Sequence, residues 1–196
     1  GLTGSIGSGK STVSAMLAAR GAVVVDADKT YAELIRPGAP LVGALAERFG
    51  AGILTDDGHV DRPALAAIVF DDSAALADLN ALTHPAIGAD ILRQLSELGE
   101  TDAFVILDLP LLVEGGRYPM AGLVVVDCPP DLALERLVAL RGMDPDDAAR
   151  RMAVQATRED RLARADFVVD NSGDLAHLEA EVDRCWTWIQ TLAPAP

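Results

Sequence analysis

Short apolar runs recur along the chain, and an aspartate directly follows four of them. The runs occupy residues 22–25, 104–107, 123–126 and 167–169, and the aspartates are Asp26, Asp108, Asp127 and Asp170. Residues 1–3 have the composition of the end of a further strand. Because the runs are continuous rather than alternating, and helix-compatible segments separate them, they predict parallel strands covered on both faces. The pattern therefore predicts a doubly wound α/β fold with about five parallel strands, whose carboxyl ends form a ligand crevice.

The stretch between residues 29 and 98 contains no run of this kind and predicts a mostly helical insertion. Glycine and proline residues separate its helical segments, and we expect the last break at Pro85. The sequence therefore divides into a core made of residues 1–30 and 100–196 and an inserted helical domain made of residues 31–99.

The chain is acidic, with 30 acidic against 16 basic residues and a formal net charge of −14. The negative electrostatic field of such a chain opposes nonspecific attraction to nucleic acid or to an anionic membrane, so we expect neither as a partner. Seven of the 16 cationic residues are arginines within residues 131–164. An anionic ligand therefore has a local cationic segment available, and residues 136–164 are called the lid below.

The length of the longest apolar run and the number of cysteines both bear on the cellular compartment that we expect for the protein. The longest apolar run, residues 64–70, is too short to cross a bilayer, and no secretory signal is predicted at the start of the sequence. The two cysteines, Cys128 and Cys185, are too few for a disulfide scaffold and fit a reducing compartment. We therefore expect a cytoplasmic location.

The strongest motif is GSIGSGKS at residues 4–11, called the P-loop below, which matches G-x-x-x-x-G-K-[ST]. Its glycines allow successive backbone N–H groups to face an anion at the start of a helix. Lys10 would contact the β- and γ-phosphates, and the Ser11 hydroxyl would coordinate Mg²⁺. Strand residues precede the motif and a helical segment follows it, as a nucleotide site requires. The candidate nucleotide-binding residues are Gly7, Ser8, Gly9, Lys10, Ser11 and Thr12.

A P-loop occurs in small-molecule kinases, in GTP-dependent switches and in transport or motor ATPases, so the motif alone leaves all three classes open. Neither lysine of the chain lies in an N-K-x-D guanine motif, which argues against the switch. Asp108 is followed by Leu109 and Pro110 rather than by a second acidic residue, which argues against the ATPase. The arginine-rich lid favours a kinase, because a cationic lid stabilises the transferring phosphate.

Further motifs follow the P-loop in order along the chain. They are DAD at residues 26–28, DLPLLVE at 108–114, QA at 155–156 and DNSG at 170–173. In these motifs and in the P-loop, the whole chain resembles the dephospho-CoA kinase family. Ser5 departs from the family pattern, in which many members have glycine, but Ser5 need not approach the phosphates.

The resemblance implies a P-loop kinase fold with a nucleotide-binding core, a helical acceptor domain and a lid. It also implies that ATP with Mg²⁺ phosphorylates the ribose 3′-hydroxyl of dephospho-CoA, giving CoA and ADP. The alternative is another P-loop small-molecule or nucleoside monophosphate kinase. The implied partner is dephospho-CoA, and we expect a monomer or a weak homo-oligomer.

The resemblance and the strand ends together nominate the catalytic residues. Asp28 is the candidate base, and the alternative role for it is the N-cap of the following helix. Asp108 either orders Mg²⁺ or fixes a loop. In the lid, we expect Arg136 to contact the transferred phosphate, and Arg141 or Arg158 to reach ATP.

The acceptor pocket is less well defined by the sequence. Tyr31, Arg62 and Glu114 are candidates to line it. His84 is a further candidate, and its alternative role is that of a structural histidine before a proline.

Overall fold

The computed structural model describes residues 1–70, 72–109, 118 and 120–194. The chain divides into two compact units, and the first comprises Gly1–Val24 and Asp102–Pro196. The second unit is Val25–Thr101 and begins earlier than the insertion expected from residue 31. Glu114, a candidate acceptor residue, lies outside the described residues.

The strands form one five-stranded sheet with the order β2-β3-β1-β4-β5. They are β1 (Leu2–Gly4), β2 (Val23–Asp26), β3 (Val105–Asp108), β4 (Val124–Asp127) and β5 (Phe167–Asp170). β1 pairs in parallel with β3 and β4, and β4 pairs in parallel with β5. The predicted α/β fold is confirmed. Each aspartate that follows an apolar run is the last residue of its strand, so polar groups do end these strands.

Nine α-helices are present in the described part of the chain. In chain order they are α1 (Lys10–Ala19), α2 (Ala27–Leu34), α3 (Pro40–Phe49), α4 (Arg62–Val69), α5 (Ser73–Gly99), α6 (Pro130–Arg141), α7 (Pro145–Ala153), α8 (Arg158–Arg164) and α9 (Leu175–Ile189). The lid thus comprises the end of α6, the short helices α7 and α8, and the segments that join them. Among the described residues, no helix is both long and apolar enough to span a membrane.

The first unit has its core where α1 and α9 pack on the sheet. Val13 and Leu17 of α1 and Val182 of α9 are completely buried there, together with Leu2 of β1. Burial of each such side chain stabilises the fold by about 1.5–3 kcal/mol. This packing fixes the end of β1 and the start of α1, which are the two anchors of the P-loop.

The second unit is helical and has a separate core. Leu45 of α3, Leu65 of α4 and Ile53 of a short 3-10 helix are buried in it. The predicted break at Pro85 is wrong, because α5 continues through that residue. Proline removes one backbone hydrogen bond from a helix. Burial of Ala75 on one side of the proline and of Ile91 on the other holds both halves of α5 in place.

Candidate active site

The P-loop leaves β1 and enters α1 through two glycines with left-handed backbone conformations. Gly7 has φ 82° and Gly9 has φ 90°, a region that favours glycine. A side chain would also lack space at both positions. A Cβ atom on Gly7 would lie 2.6 Å from the carbonyl oxygen of Ala133, and one on Gly9 would lie 2.1 Å from Nδ2 of Asn171. Both glycines are therefore required by backbone conformation and by close packing.

The start of α1 is open to an anion. Its N-cap is Gly9, and no side chain caps the helix. The N–H groups of the first turn of a helix lack partners within the helix, and the helix dipole favours negative charge there. The end of this helix therefore has the geometry of a phosphate site.

Lys10 forms an ion pair with Asp108, the last residue of β3. The Lys10 ammonium donates to Oδ1 of a carboxylate that is only 3% exposed. The pair forms because β3 lies next to β1 in the sheet, with Asp108 opposite Leu2. The sequence analysis did not predict this contact with the P-loop lysine, and the two roles that it left open for Asp108, ordering Mg²⁺ or fixing a loop, stay predictions.

Arg136 and the P-loop meet at Asn171, the residue after β5. Nη1 of Arg136 donates to the backbone oxygen of Asn171 at 2.9 Å. The Asn171 side chain, 6% exposed, donates from Nδ2 to the backbone oxygen of Ser8 at 2.7 Å. Asn171 was missed as a functional residue, although the DNSG motif that contains it was recognised.

A cavity of about 280 Å³ opens beside the P-loop, in the first unit. The structure brings several of the predicted nucleotide-site residues together on its wall. They are Gly7, Gly9, Thr12, Arg136 and Arg141. The cavity therefore combines the P-loop backbone with two guanidinium groups of α6.

Part of the cavity wall is apolar. It includes Leu140 of α6 and Leu175 of α9, which are 80% and 61% exposed. Exposed leucines on a concave wall offer apolar surface to a ligand that covers them. This wall suits the flat face of a nucleotide base.

Two further lid residues are held on the core of the first unit. Nε and Nη2 of Arg158 donate to the two carboxylate oxygens of Asp127, at 2.9 and 2.6 Å, and this pair raises the pKa of Arg158. Arg158 thus contacts the end of β4, and its contact with ATP stays a prediction. Gln155, between α7 and α8, accepts a hydrogen bond from the backbone N–H of Ile6 in the P-loop at 3.0 Å. Gln155 was also missed as a functional residue.

Asp26, the last residue of β2, and Asp28, in the first turn of α2, differ in their hydrogen bonding. Oδ1 of Asp26 accepts hydrogen bonds from the N–H groups of Asp28 and Lys29, at 2.9 and 3.2 Å, so Asp26 is the N-cap of α2. The alternative role of Asp28 as the cap is therefore wrong. Asp28 is exposed, and its carboxylate has no hydrogen-bond or ion-pair partner in the described part of the chain.

Two of the acceptor candidates contact one another in the second unit. The Arg62 guanidinium lies over the Tyr31 ring, 5.6 Å from its centroid. Burial raises the pKa of the half-buried Tyr31, while the charge of Arg62 opposes that shift. His84 is exposed on α5. The structure thus brings Tyr31 and Arg62 together.

The residues proposed for Mg²⁺ are of the right chemical type. Ser11 is exposed in the first turn of α1, and Asp108 ends β3, and both offer the oxygen ligands that Mg²⁺ prefers. Within the described ranges, no cluster of three or more His, Cys, Asp or Glu residues could hold a metal ion. The Ser11 hydroxyl and the Asp108 carboxylate are thus oxygen donors of the kind that fits Mg²⁺, and metal binding by them stays a prediction.

Comparison with known proteins gives a consistent result. The dephospho-CoA kinase family model matches residues 1–177. The chain is 51% identical over 187 residues to the dephospho-CoA kinase of Streptomyces avermitilis, covering 95% of this chain and 91% of the relative. It is 44% identical over 196 residues to the enzyme of Methylococcus capsulatus, covering 100% and 98% of the two chains.

Solved structures agree with the sequence comparisons. The dephospho-CoA kinase from Campylobacter jejuni aligns with a TM-score of 0.66 and 26% identity over 96% of both chains. The crystal structure of TT1252 from Thermus thermophilus aligns with a TM-score of 0.80 and 32% identity over 95% of both chains. The resemblance inferred from the motifs is confirmed, as is the prediction of an ATP-dependent phosphotransferase. The chain therefore belongs to the dephospho-CoA kinase family.

Proposed function

We propose that this chain transfers the γ-phosphate of ATP to the ribose 3′-hydroxyl of dephospho-CoA, giving CoA and ADP. The first unit would hold ATP, and the second unit would hold the acceptor. The observation that carries the proposal is the P-loop, with its lysine and with Arg136 and Arg141 on the wall of the adjoining cavity. Membership of the family supplies the acceptor.

The cavity supports a specific placement of ATP. The triphosphate would lie on the P-loop backbone, where the open start of α1 favours negative charge. The base would cover Leu140 and Leu175, whose exposed side chains otherwise face water. Arg141 lines the same cavity and would contact the nucleotide.

In the reaction, the 3′-hydroxyl oxygen forms a bond to the γ-phosphorus as the bond from that phosphorus to the β,γ-bridging oxygen breaks. ADP leaves with that oxygen, and the hydroxyl proton passes to the Asp28 carboxylate. Lys10 and Arg136 would stabilise the charge that develops on the transferring group and on ADP. Among the described residues the Asp28 carboxylate has no partner, which supports its role as the base, whereas Oδ1 of Asp26 already accepts from two backbone N–H groups.

Mg²⁺ would be held by the Ser11 hydroxyl, by Asp108 and by phosphate oxygens, and would neutralise phosphate charge when bound. Lys10 contacts Asp108 in the structure, so ATP binding would draw the ammonium from a carboxylate to a phosphate. Asp108 would then have a free oxygen for the metal or its water ligands.

The second unit is proposed as the acceptor domain because it carries Asp28, Tyr31 and Arg62. A guanidinium stacked on an aromatic ring keeps its outer N–H groups free to bind phosphate, and dephospho-CoA contains a pyrophosphate. His84, exposed on α5, is a second candidate for that contact. A cytoplasmic location is proposed with this function, since both cysteines are buried and unpaired.

The function is tested by an ADP-release assay across dephospho-CoA, adenosine, AMP, CMP and shikimate. We expect dephospho-CoA to be preferred and mass spectrometry to identify CoA as the product. Preference for a nucleoside monophosphate would contradict dephospho-CoA as the acceptor, while the assignment as a kinase would still hold.

Arg136→Ala should lower kcat more than it weakens binding of dephospho-CoA. The guanidinium stabilises charge that redistributes in the transition state, and loss of one such donor costs about 10²–10³-fold in rate. Steady-state kinetics with both substrates measures the effect. The matched control is Arg150→Ala, which removes an exposed lid arginine paired with Asp147 at 3.6 Å. A change confined to KM would reassign Arg136 to ground-state binding.

Arg62→Ala should raise KM for dephospho-CoA and leave KM for ATP near its normal value. A lost contact between a guanidinium and a phosphate weakens binding by about tenfold or more. Arg93→Ala is the control in the same unit, since Arg93 is exposed and pairs with Asp90 and Glu97 on α5. Equal effects of the two substitutions would remove Arg62 from the acceptor site.

A further inference from the structure

We propose that two carboxamide side chains, Gln155 and Asn171, preset the conformation of the P-loop for ATP binding and are positioning residues for phosphoryl transfer. They approach the loop from distant parts of the chain. Gln155 belongs to the lid, and Asn171 follows β5. The inference rests on the proposed ATP site and is independent of the acceptor.

The two carboxamides bind the P-loop through opposite ends of the amide group, one as an acceptor and the other as a donor. Gln155 contributes its oxygen, Oε1, which accepts from the N–H of Ile6 at 3.0 Å. Asn171 contributes its nitrogen, Nδ2, which donates to the carbonyl of Ser8 at 2.7 Å. Each contact therefore needs one particular end of an amide.

A hydrogen bond within the P-loop links these two contacts. The N–H of Ser8 donates to the carbonyl of Ser5 at 3.0 Å. In a trans peptide, C=O and N–H point in opposite directions. Gln155 holds the N–H of the peptide between Ser5 and Ile6, so it also directs the Ser5 carbonyl toward Ser8. A continuous series of hydrogen bonds thus runs from the lid through the P-loop to the end of β5.

The same geometry sets the direction of a potential phosphate donor. Asn171 holds the carbonyl of the peptide between Ser8 and Gly9, and it thereby turns the N–H of Gly9 the other way. A Cβ atom on Gly9 would lie 2.1 Å from Nδ2 of Asn171, so the Asn171 side chain closely approaches the Gly9 backbone. Asn171 also accepts from Arg136 through its backbone oxygen, so one residue contacts both the P-loop backbone and the lid arginine.

The position of Asn171 is itself fixed by the sheet. Its N–H donates to the carbonyl of Asp127, the last residue of β4, at 2.8 Å. Asp127 also binds Arg158 through both carboxylate oxygens, three residues after Gln155. Asn171 is thus anchored directly on the end of β4, and Arg158 anchors the segment that follows Gln155 on the same residue.

The test exchanges each amide for the corresponding acid. Gln155→Glu keeps an acceptor for Ile6, whereas Asn171→Asp loses its donor and places a carboxylate against the Ser8 carbonyl. Both substitutions add the same negative charge near the nucleotide. We expect Asn171→Asp to weaken ATP binding, measured by calorimetry, about 10- to 100-fold more than Gln155→Glu does.

Gln155→Met provides a second test, because methionine keeps the length of the side chain but has no oxygen to accept from the Ile6 N–H. In the free enzyme, the Ile6 amide should exchange with solvent about tenfold faster in Gln155→Met than in the wild type. In Gln155→Glu, it should stay protected. Hydrogen exchange measured by NMR resolves this amide, and Gln190→Glu, on the exposed end of α9, controls for added charge.

Equal Ile6 exchange in Gln155→Met and Gln155→Glu would overturn the role of Gln155. ATP binding by Asn171→Asp that matches Gln155→Glu would overturn that of Asn171. If Asn171→Asp does not fold, the Gln155 pair still decides, since that side chain is only partly buried. Neither readout involves the acceptor, so a failure of the proposed function would appear separately, as the wrong preference in the ADP-release assay.

Discussion

Lys10→Ala should reduce phosphoryl transfer on the order of 10³-fold. The Lys10 ammonium is the charge at the start of α1 that would contact the β- and γ-phosphates, and the backbone N–H groups cannot replace a mobile cation. ADP release at saturating dephospho-CoA measures the loss, and calorimetry with ATP separates binding from chemistry. Unchanged turnover would refute the nucleotide site.

The same substitution should also destabilise the fold, which needs its own control. Removal of Lys10 leaves Asp108 buried without its cation, and breaking a buried ion pair costs about 3–5 kcal/mol. Lys10→Ala combined with Asp108→Asn removes the charge that was left behind. We expect thermal stability to recover in the double variant while activity stays lost. Recovery of activity together with stability would make Lys10 a structural residue only.

The sheet was predictable because its signal is local and strong. Four of the five strands, β2 to β5, are short apolar runs whose last residue is an aspartate. The P-loop was predictable for the same reason, since every residue that defines it lies within positions 4–11. The left-handed conformations of Gly7 and Gly9 were seen only in the structure, and Gly7 lies at a position where the motif does not require glycine.

The partners of the P-loop were not predictable, because they depend on strand order and on side-chain polarity. Lys10 meets Asp108 only because β3 inserts beside β1, and the sequence does not state that order. The roles of Gln155 and Asn171 become visible only from the P-loop backbone groups to which they hydrogen-bond in the structure. The same residue types are common on protein surfaces, so their presence alone carries no such information.

Helix α5 is continuous because tertiary packing outweighs the helix-breaking tendency of a single proline. Pro85 lacks a backbone N–H, and this favoured a break in the sequence analysis. One lost hydrogen bond is a smaller term than burial of the apolar face on both sides of it, which includes Ala75 and Ile91. The position of the helix is therefore decided by the core of the second unit.

Asp26 at the end of β2 and Asp28 in α2 provide a matched pair for identifying the base. Asp28→Asn should lose about 10²–10⁴-fold in kcat, because an amide cannot accept the proton of the attacking hydroxyl. ATP affinity should stay near normal. Folding should be unaffected, because the Asp28 carboxylate has no partner among the described residues that the substitution could break.

Asp26→Asn should have a smaller effect, for a reason visible in the structure. Its carboxylate caps α2 by accepting from the N–H groups of Asp28 and Lys29, and asparagine caps helices about as well as aspartate. A residual defect that responds to Mg²⁺ concentration would indicate that Asp26 also orders water around the metal. Measurement of kcat and ATP binding for both variants decides the assignment. If Asp26→Asn is inactive while Asp28→Asn still turns over, the base is Asp26, and the helix cap and the proton acceptor are the same carboxylate.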